Sequence, residues 1–228
     1  MFPIGDDNVR GGGKPWVTWL LVGANIAIFV YELTLLSAGK LEQFMMTYGV
    51  VPAQIVQGQN LLSLLTSMFL HGSWAHVFSN MLFLWIFGDN IEATLGKAVY
   101  IVFYLAGGLA ASAAHIAFNV QSQVPTLGAS GAVAAVLGAY AVMYPQSHVR
   151  LVVIFFFRLM MTRVVALVFI GFWFLTQFFN SVASLGVRTA ETGGVAYLAH
   201  VGGFILGVIV GLLFRGQRRE LRRSTPSF

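Results

Sequence analysis

The chain has 228 residues, 57% of them hydrophobic and only 9% charged, with a mean hydropathy of +0.79 and a net charge of +5. A soluble domain carries about 25% charged residues, so this composition excludes a soluble globular protein and points to a chain held mostly within a bilayer. There is no cysteine, which excludes disulfides and thiolate metal sites.

Residues 1–15 are polar and glycine-rich, with no short apolar core or small-residue cleavage site, and read as a retained tail rather than a signal peptide. The first apolar run of crossing length is 16–36. Residues 61–87 are too long for one simple crossing, and His71-Gly72-Ser73 interrupts them, with Ser73 placed to cap a new helix. The run therefore divides into a short, partly embedded segment, 61–70, and a second span, 73–90. The third span is 99–118, and the fourth is 128–144, stopped by Pro145. Residues 149–163 are apolar but carry Arg158 and Arg163, which suits an interfacial segment. The fifth span is 164–182 and the sixth 195–214, followed by a basic tail, 215–228. The expected fold is an all-α polytopic bundle of six transmembrane helices over residues 16–214.

An even number of spans puts both termini on one side. If that side is cytoplasmic, the inner segments hold Arg10, Lys14, Lys97, Arg150, Arg158, Arg163, Arg215, Arg218, Arg219, Arg222 and Arg223, while the outer ones hold Lys40 and Arg188. This is 11 basic residues against 2, the asymmetry of the positive-inside rule. The net charge is then a topogenic signal and a contact for anionic lipid, not a nucleic-acid surface.

Polar residues inside a span are costly and mark functional sites. Ser130 opens the fourth span within the small-residue collar Gly128-Ala129-Ser130-Gly131; His200 lies in the second turn of the sixth; His76 and Asn80 lie near the start of the second. All three spans run from outside to inside in this topology, so the four residues share one level in the outer half of the bilayer. Ala199, Gly203, Gly207 and Gly211 form a small-residue stripe at four-residue spacing, matched by Gly131, Ala135 and Ala139. Such stripes let helices approach closely, which would bring the Ser130 oxygen to His200 as a nucleophile and its base. His76 and Asn80, four apart, share a helix face and, with the Ser130 N–H, can hold an oxyanion. No acid lies in the fourth or sixth span to orient His200, so the arrangement is a dyad.

Gly128-Ala129-Ser130-Gly131-Ala132, His76-Val77-Phe78-Ser79-Asn80 and Ala199-His200-Val201-Gly202-Gly203 with Gly207 together resemble the rhomboid family of intramembrane serine proteases. The resemblance covers nearly the whole chain. It implies Ser130 as nucleophile, His200 as general base, and His76 and Asn80 in the oxyanion hole. It further implies that His71 braces the first outer loop, that Glu92 and Gly96 form a structural pair, and that the fifth span borders the gap through which a substrate helix passes. Trp173, Gln177 and Phe178 would then face that gap. Partners would be single-pass membrane proteins and lipid; no cofactor or metal is implied. The setting that suits the chain is a prokaryotic cytoplasmic membrane, with both termini cytoplasmic and the site toward the outside. Two positions depart from the family: no Trp-Arg pair occurs in the first outer loop, and Ala134 stands where some members stack an aromatic beneath the histidine.

Simpler readings exist for each residue. A lone serine between glycines is a packing residue, and a lone histidine is a satisfied core side chain; His115 is read that way, and His148 as a solvated loop residue. Other protease chemistries lack their signatures: there is no HExxH zinc motif, and Asp89 is the only aspartate near a span, where an aspartyl pair needs two. A small transporter is a further alternative, but no inverted repeat or mid-membrane helix break is visible. A non-cutting binder of client helices is the remaining one, although relatives of that kind usually lack the serine or the histidine, and this chain has both. The sequence does not set the oligomeric state.

Overall fold

The computed structural model describes residues 2–9, 12–155, 158–183, 196–219 and 221–222. The six runs of crossing length are largely helical over their described residues. Helix α1 spans Trp16–Ser37. The connection to the next long helix contains α2 (Leu41–Tyr48), α3 (Pro52–Val56), α4 (Ser63–Thr66) and a 3-10 turn, Ser67–Phe69. The Ser73 hydroxyl then accepts the His76 N–H at 3.2 Å and starts α5 (Trp74–Leu95), so the break in the long run is a true helix cap. Gly96, at φ 78°, turns the chain directly from α5 into α6 (Lys97–Phe118). Helices α7 (Ser130–Met143), α8 (Ala166–Ala183) and α9 (Tyr197–Phe214) complete the bundle. Among the described residues, α1, α6, α8, and α9 with its trailing turn are long and apolar enough to cross a membrane. Helix α5 is also 22 residues long but carries His76, Asn80, Asp89, Asn90 and Glu92, and α7 is only 14. Val195, Arg10, Arg188 and Arg223, used above to place a span and the charges, lie outside the described residues.

The fold is mostly but not wholly helical, which corrects the all-α expectation. The apolar residues 149–155 and 158–163 are extended strand. They belong to two antiparallel paired strands, β3 (His148–Phe155) and β4 (Arg158–Val165). Strand β1 (Phe2–Gly5) pairs with β3, giving the order β1-β3-β4. Strand β2 (Asn8–Val9) pairs with β5 (Leu221–Arg222) near the other terminus. The fifth helix of the bundle accordingly begins at Ala166, after β4 has taken Val164 and Val165.

The residues read as an N-terminal tail are tied down by polar contacts. Asp6 and Asp7 are buried. Asn90 donates through Nδ2 to Asp6 Oδ2 at 2.9 Å and to the Asp7 carbonyl at 3.0 Å, and the Tyr140 hydroxyl also donates to Asp6. His148 is not a free loop residue: its backbone N–H meets Asp7 Oδ2 at 3.0 Å and its Nδ1 lies 3.3 Å from the same oxygen. Burial pushes the Asp6 carboxyl well above the usual carboxylate range, and the neighbouring Asp89 adds to the shift. Glu92 receives the N–H groups of Val17 (3.1 Å) and Thr18 (2.8 Å) and the Thr18 hydroxyl (2.8 Å). A carboxylate there satisfies orphan donors at the positive end of α1.

Helix α7 is the axis of the bundle, buried along nearly its whole length. The two small-residue stripes meet as the spacing implied. A Cβ on Gly203 would stand 2.0 Å from the Gly131 carbonyl oxygen, and one on Gly207 would stand 2.0 Å from that of Ala135. On the neighbouring face a Cβ on Gly131 would strike Ala111 of α6, at 2.3 Å. The expected consequence is that Gly207→Ala destabilises the bundle by about 1–3 kcal/mol through overpacking against backbone. In contrast, a Cβ at Gly23 of α1 meets nothing within 4 Å, so Gly23→Ala is neutral or gains up to about 1 kcal/mol. Unfolding in detergent micelles measures both; equal stabilities would contradict this packing.

Candidate active site

Helices α5, α7 and α9 all begin at the same end of the bundle, and each carries a polar residue in its first two turns. Ser130 is the first residue of α7, His200 the fourth of α9, and His76 the third of α5. Because α7 and α9 touch backbone to backbone, the Ser130 oxygen lies 2.8 Å from His200 Nε2, across 70 residues of sequence. Both side chains are partly exposed into a cavity of about 710 Å³ whose wall also includes His76, Asn80, Gly128, Gly131, Trp173 and Gln177.

Gly128 is required twice over. Its φ of 122° disfavours any L side chain, and a Cβ there would lie 2.6 Å from the His76 ring. Its N–H is held by the Ser67 carbonyl at 2.8 Å. The bare backbone at this point lets the His76 imidazole approach the start of α7. The first N–H groups of that helix have no intrahelical acceptor and carry the positive end of the helix dipole, so this wall of the cavity suits a developing negative charge.

Asn80 is buried and donates through Nδ2 to His71 Nε2 at 3.0 Å, leaving its second amide proton for another acceptor. His71 does not line the cavity; its ring lies 5.0 Å from that of His76. Its backbone N–H is 3.2 Å from both carboxylate oxygens of Glu32, which is 1% exposed. Glu32, a carboxylate near the end of an apolar span, is itself a signal of the same kind as the other intramembrane polar residues. It joins α1 to the segment that positions His71 and Asn80.

The connection between α1 and α5, which carries no Trp-Arg pair, is held by backbone pairing. Val50 and Thr126 exchange backbone hydrogen bonds at 2.9 and 2.8 Å, and Ala53 N–H reaches the Ser122 carbonyl at 3.1 Å. This pairing docks the connection onto the segment leading into Ser130. His115 has a structural partner, Thr126 Oγ1 at 2.9 Å.

Of the three residues assigned to the substrate gap, the structure brings two to the histidine. The Trp173 ring centroid is 6.0 Å from that of His200. The Gln177 side chain meets His200 Nδ1 at 2.7 Å. Phe178 is exposed, packs beside Phe174 and Phe179, and is not part of the cavity wall. Ala134, where an aromatic was missing, is fully buried within α7, and Trp173 of α8 and Tyr197 of α9 flank the His200 ring instead.

The family model for the rhomboid domain matches residues 58–217. The chain belongs to the rhomboid family. Among similar proteins, the mitochondrial Rhomboid protein 1 of Saccharomyces cerevisiae is 28% identical over 86% of this chain and 52% of its own. Rhomboid protease GluP of Bacillus subtilis is 28% identical over 90% of this chain and 41% of its own. The mitochondrial RHOMBOID-like protein 12 of Arabidopsis thaliana is 29% identical over 62% and 48% respectively. The chain therefore spans about half the length of these relatives. It is a multi-pass integral membrane protein.

The Glu32 brace makes a stability prediction for this rhomboid protein. Glu32→Leu leaves the His71 N–H buried without an acceptor and costs about 1–3 kcal/mol, while Glu32→Gln keeps one acceptor oxygen and costs less. Unfolding in micelles separates the two, and a Glu32→Leu protein as stable as wild type would remove the brace from this account.

Proposed function

We propose that this chain is an intramembrane serine endopeptidase that cleaves single-pass membrane proteins. The observation that carries the reading is the 2.8 Å contact between Ser130 Oγ and His200 Nε2 on the wall of a cavity large enough for a peptide segment. Ser130 attacks a peptide carbonyl while His200 Nε2 takes the hydroxyl proton, forming a tetrahedral intermediate. His200 then returns that proton to the leaving amine, and water resolves the acyl-enzyme by the same route in reverse. His76, the free amide proton of Asn80 and the N–H at the start of α7 stabilise the oxyanion. The order of elements supports this division of labour: three helix starts converge, with His76 and Asn80 from α5, Ser130 and the first N–H from α7, and His200 from α9.

In this proposal α1, α5, α6, α7, α8 and α9 each cross the bilayer. The termini and the strand-bearing end lie in the cytoplasm, following the basic residues, and the site faces the outer half, where water can reach it. A substrate helix shields its peptide bonds by internal hydrogen bonding, so the cut requires local unwinding. Small or helix-breaking residues near the cut lower that cost.

The test is proteolysis of a tagged single-pass substrate reconstituted with the protein in liposomes. Ser130→Ala abolishes cleavage. His76→Ala and Asn80→Ala each lower kcat by about 10²–10³, with KM changing far less. Cleavage by Ser130→Ala, or parallel losses in binding and turnover for the other two, would contradict the assignment.

A further inference from the structure

We infer that Gln177 is the positioning residue for His200, setting the imidazole tautomer and ring orientation in which Nε2 can take the Ser130 proton. The inference rests on the proposed protease reading and adds a third residue to it.

The chain of hydrogen bonds around Gln177 allows one direction only. The Thr176 hydroxyl lies 2.6 Å from the Trp173 carbonyl oxygen, which can only accept, so Thr176 spends its single proton there. Thr176 Oγ1 is then an acceptor for its other neighbour, the Gln177 side chain at 3.2 Å, and must face the amide nitrogen. The Gln177 oxygen is thereby turned to His200, 2.7 Å from Nδ1, and as an acceptor it requires a proton on that nitrogen. A neutral imidazole carries only one N–H. Nε2 is left bare, 2.8 Å from the Ser130 hydroxyl, as a base must be. A reversed amide would set its NH₂ against Nδ1, force the proton onto Nε2 and remove the base.

Packing holds Gln177 in place. Trp173 and Gln177 are four apart on α8 and share the face turned to α9. Phe174 stacks on Phe204 with centroids 4.2 Å apart, between a residue three before Gln177 and one four after His200. Since α8 and α9 run antiparallel, that stack brings the glutamine level with the histidine. Ser181 Oγ also returns a hydrogen bond to the Gln177 carbonyl at 2.8 Å.

An amide suits this location. It provides the acceptor that an aspartate provides in a triad without burying a charge where charges are expensive. The titratable side chains on the cavity wall are imidazoles: His76 of α5, His115 of α6 and His200 itself. Of these three imidazoles, His200 is the one within hydrogen-bond distance of Gln177. A carboxylate introduced at position 177 would therefore act on His200 directly.

The experiment measures phosphonylation of the protein in micelles by a fluorophosphonate probe, as a function of probe concentration and pH, for wild type, Gln177→Leu and Gln177→Glu, with Ser130→Ala as the blank. Gln177→Leu lowers the saturating rate by about 10²-fold, the scale of a misplaced catalytic group, with the half-saturating probe concentration little changed. Gln177→Glu restores much of that rate, and the acid limb of its pH profile moves up by about 1–3 units, as for an opposite charge within hydrogen-bond reach. The inference fails if Gln177→Leu is labelled at the wild-type rate, if the variants change only half-saturation as a substrate-gap residue would, or if the acid limb of Gln177→Glu stays in place. If folded wild type is not labelled above the Ser130→Ala blank, the protease reading fails and the inference with it.

Discussion

The bundle depends on one contact that contains no side chains. Where α9 crosses α7, Gly203 and Gly207 lie against the carbonyls of Gly131 and Ala135 with no room for a methyl group. In hydrocarbon, helices gain nothing from hiding apolar surface, so association rests on packing and hydrogen bonding. Close backbone approach makes that packing strong. It also removes freedom: with the two helices in van der Waals contact along a four-residue stripe, rotation or sliding of either one strikes backbone. The Ser130–His200 separation is thus set by the packing below it. Two short side chains reach each other because the backbones beneath them already touch.

The same end of the bundle gathers the polar groups that a bilayer disfavours. Glu32, His71 and Asn80 form a line from α1 to the cavity, and Gln177 and Thr176 form another from α8. In the proposed protease, the first would orient a donor for an anion and the second would orient a base. At the opposite end, Asp6, Asp7, Asn90, Tyr140 and His148 tie the N-terminal strands to the bundle and to the β3–β4 pair. Two polar clusters at the two ends, joined by an apolar middle built on α7, is the distribution expected of a chain whose mid-section meets only lipid and its own helices.

Much of this was legible in the sequence because membrane segments are long and their rules simple. Apolar length located the helices, and Ser73 marked the cap that splits the longest run. The four-residue spacing of Gly203, Gly207 and Gly211 against Gly131, Ala135 and Ala139 named the helix pair that meets. The β3–β4 pair was not legible. Residues 149–163 are almost uniformly apolar and contain no Gly, Asn or Asp to signal a turn, so the alternation that buries Val149 and Leu151 was hidden in a run that also reads as interfacial. The N-terminal strands escaped notice for the opposite reason. Gly5-Asp6-Asp7-Asn8 has the composition of a solvated tail, and its order comes from distant partners on α5, α7, β3 and β5. Gln177 was seen, but its role depends on which face α8 turns to α9, and a helix rich in Phe on every side does not reveal that face.

The most direct measurement is the location of a fluorophosphonate adduct by mass spectrometry of intact and digested protein. The account predicts one adduct per chain, on the peptide carrying Ser130, and none after His200→Ala. A folded wild-type protein without an adduct, an adduct on another serine, or full labelling of His200→Ala would contradict it.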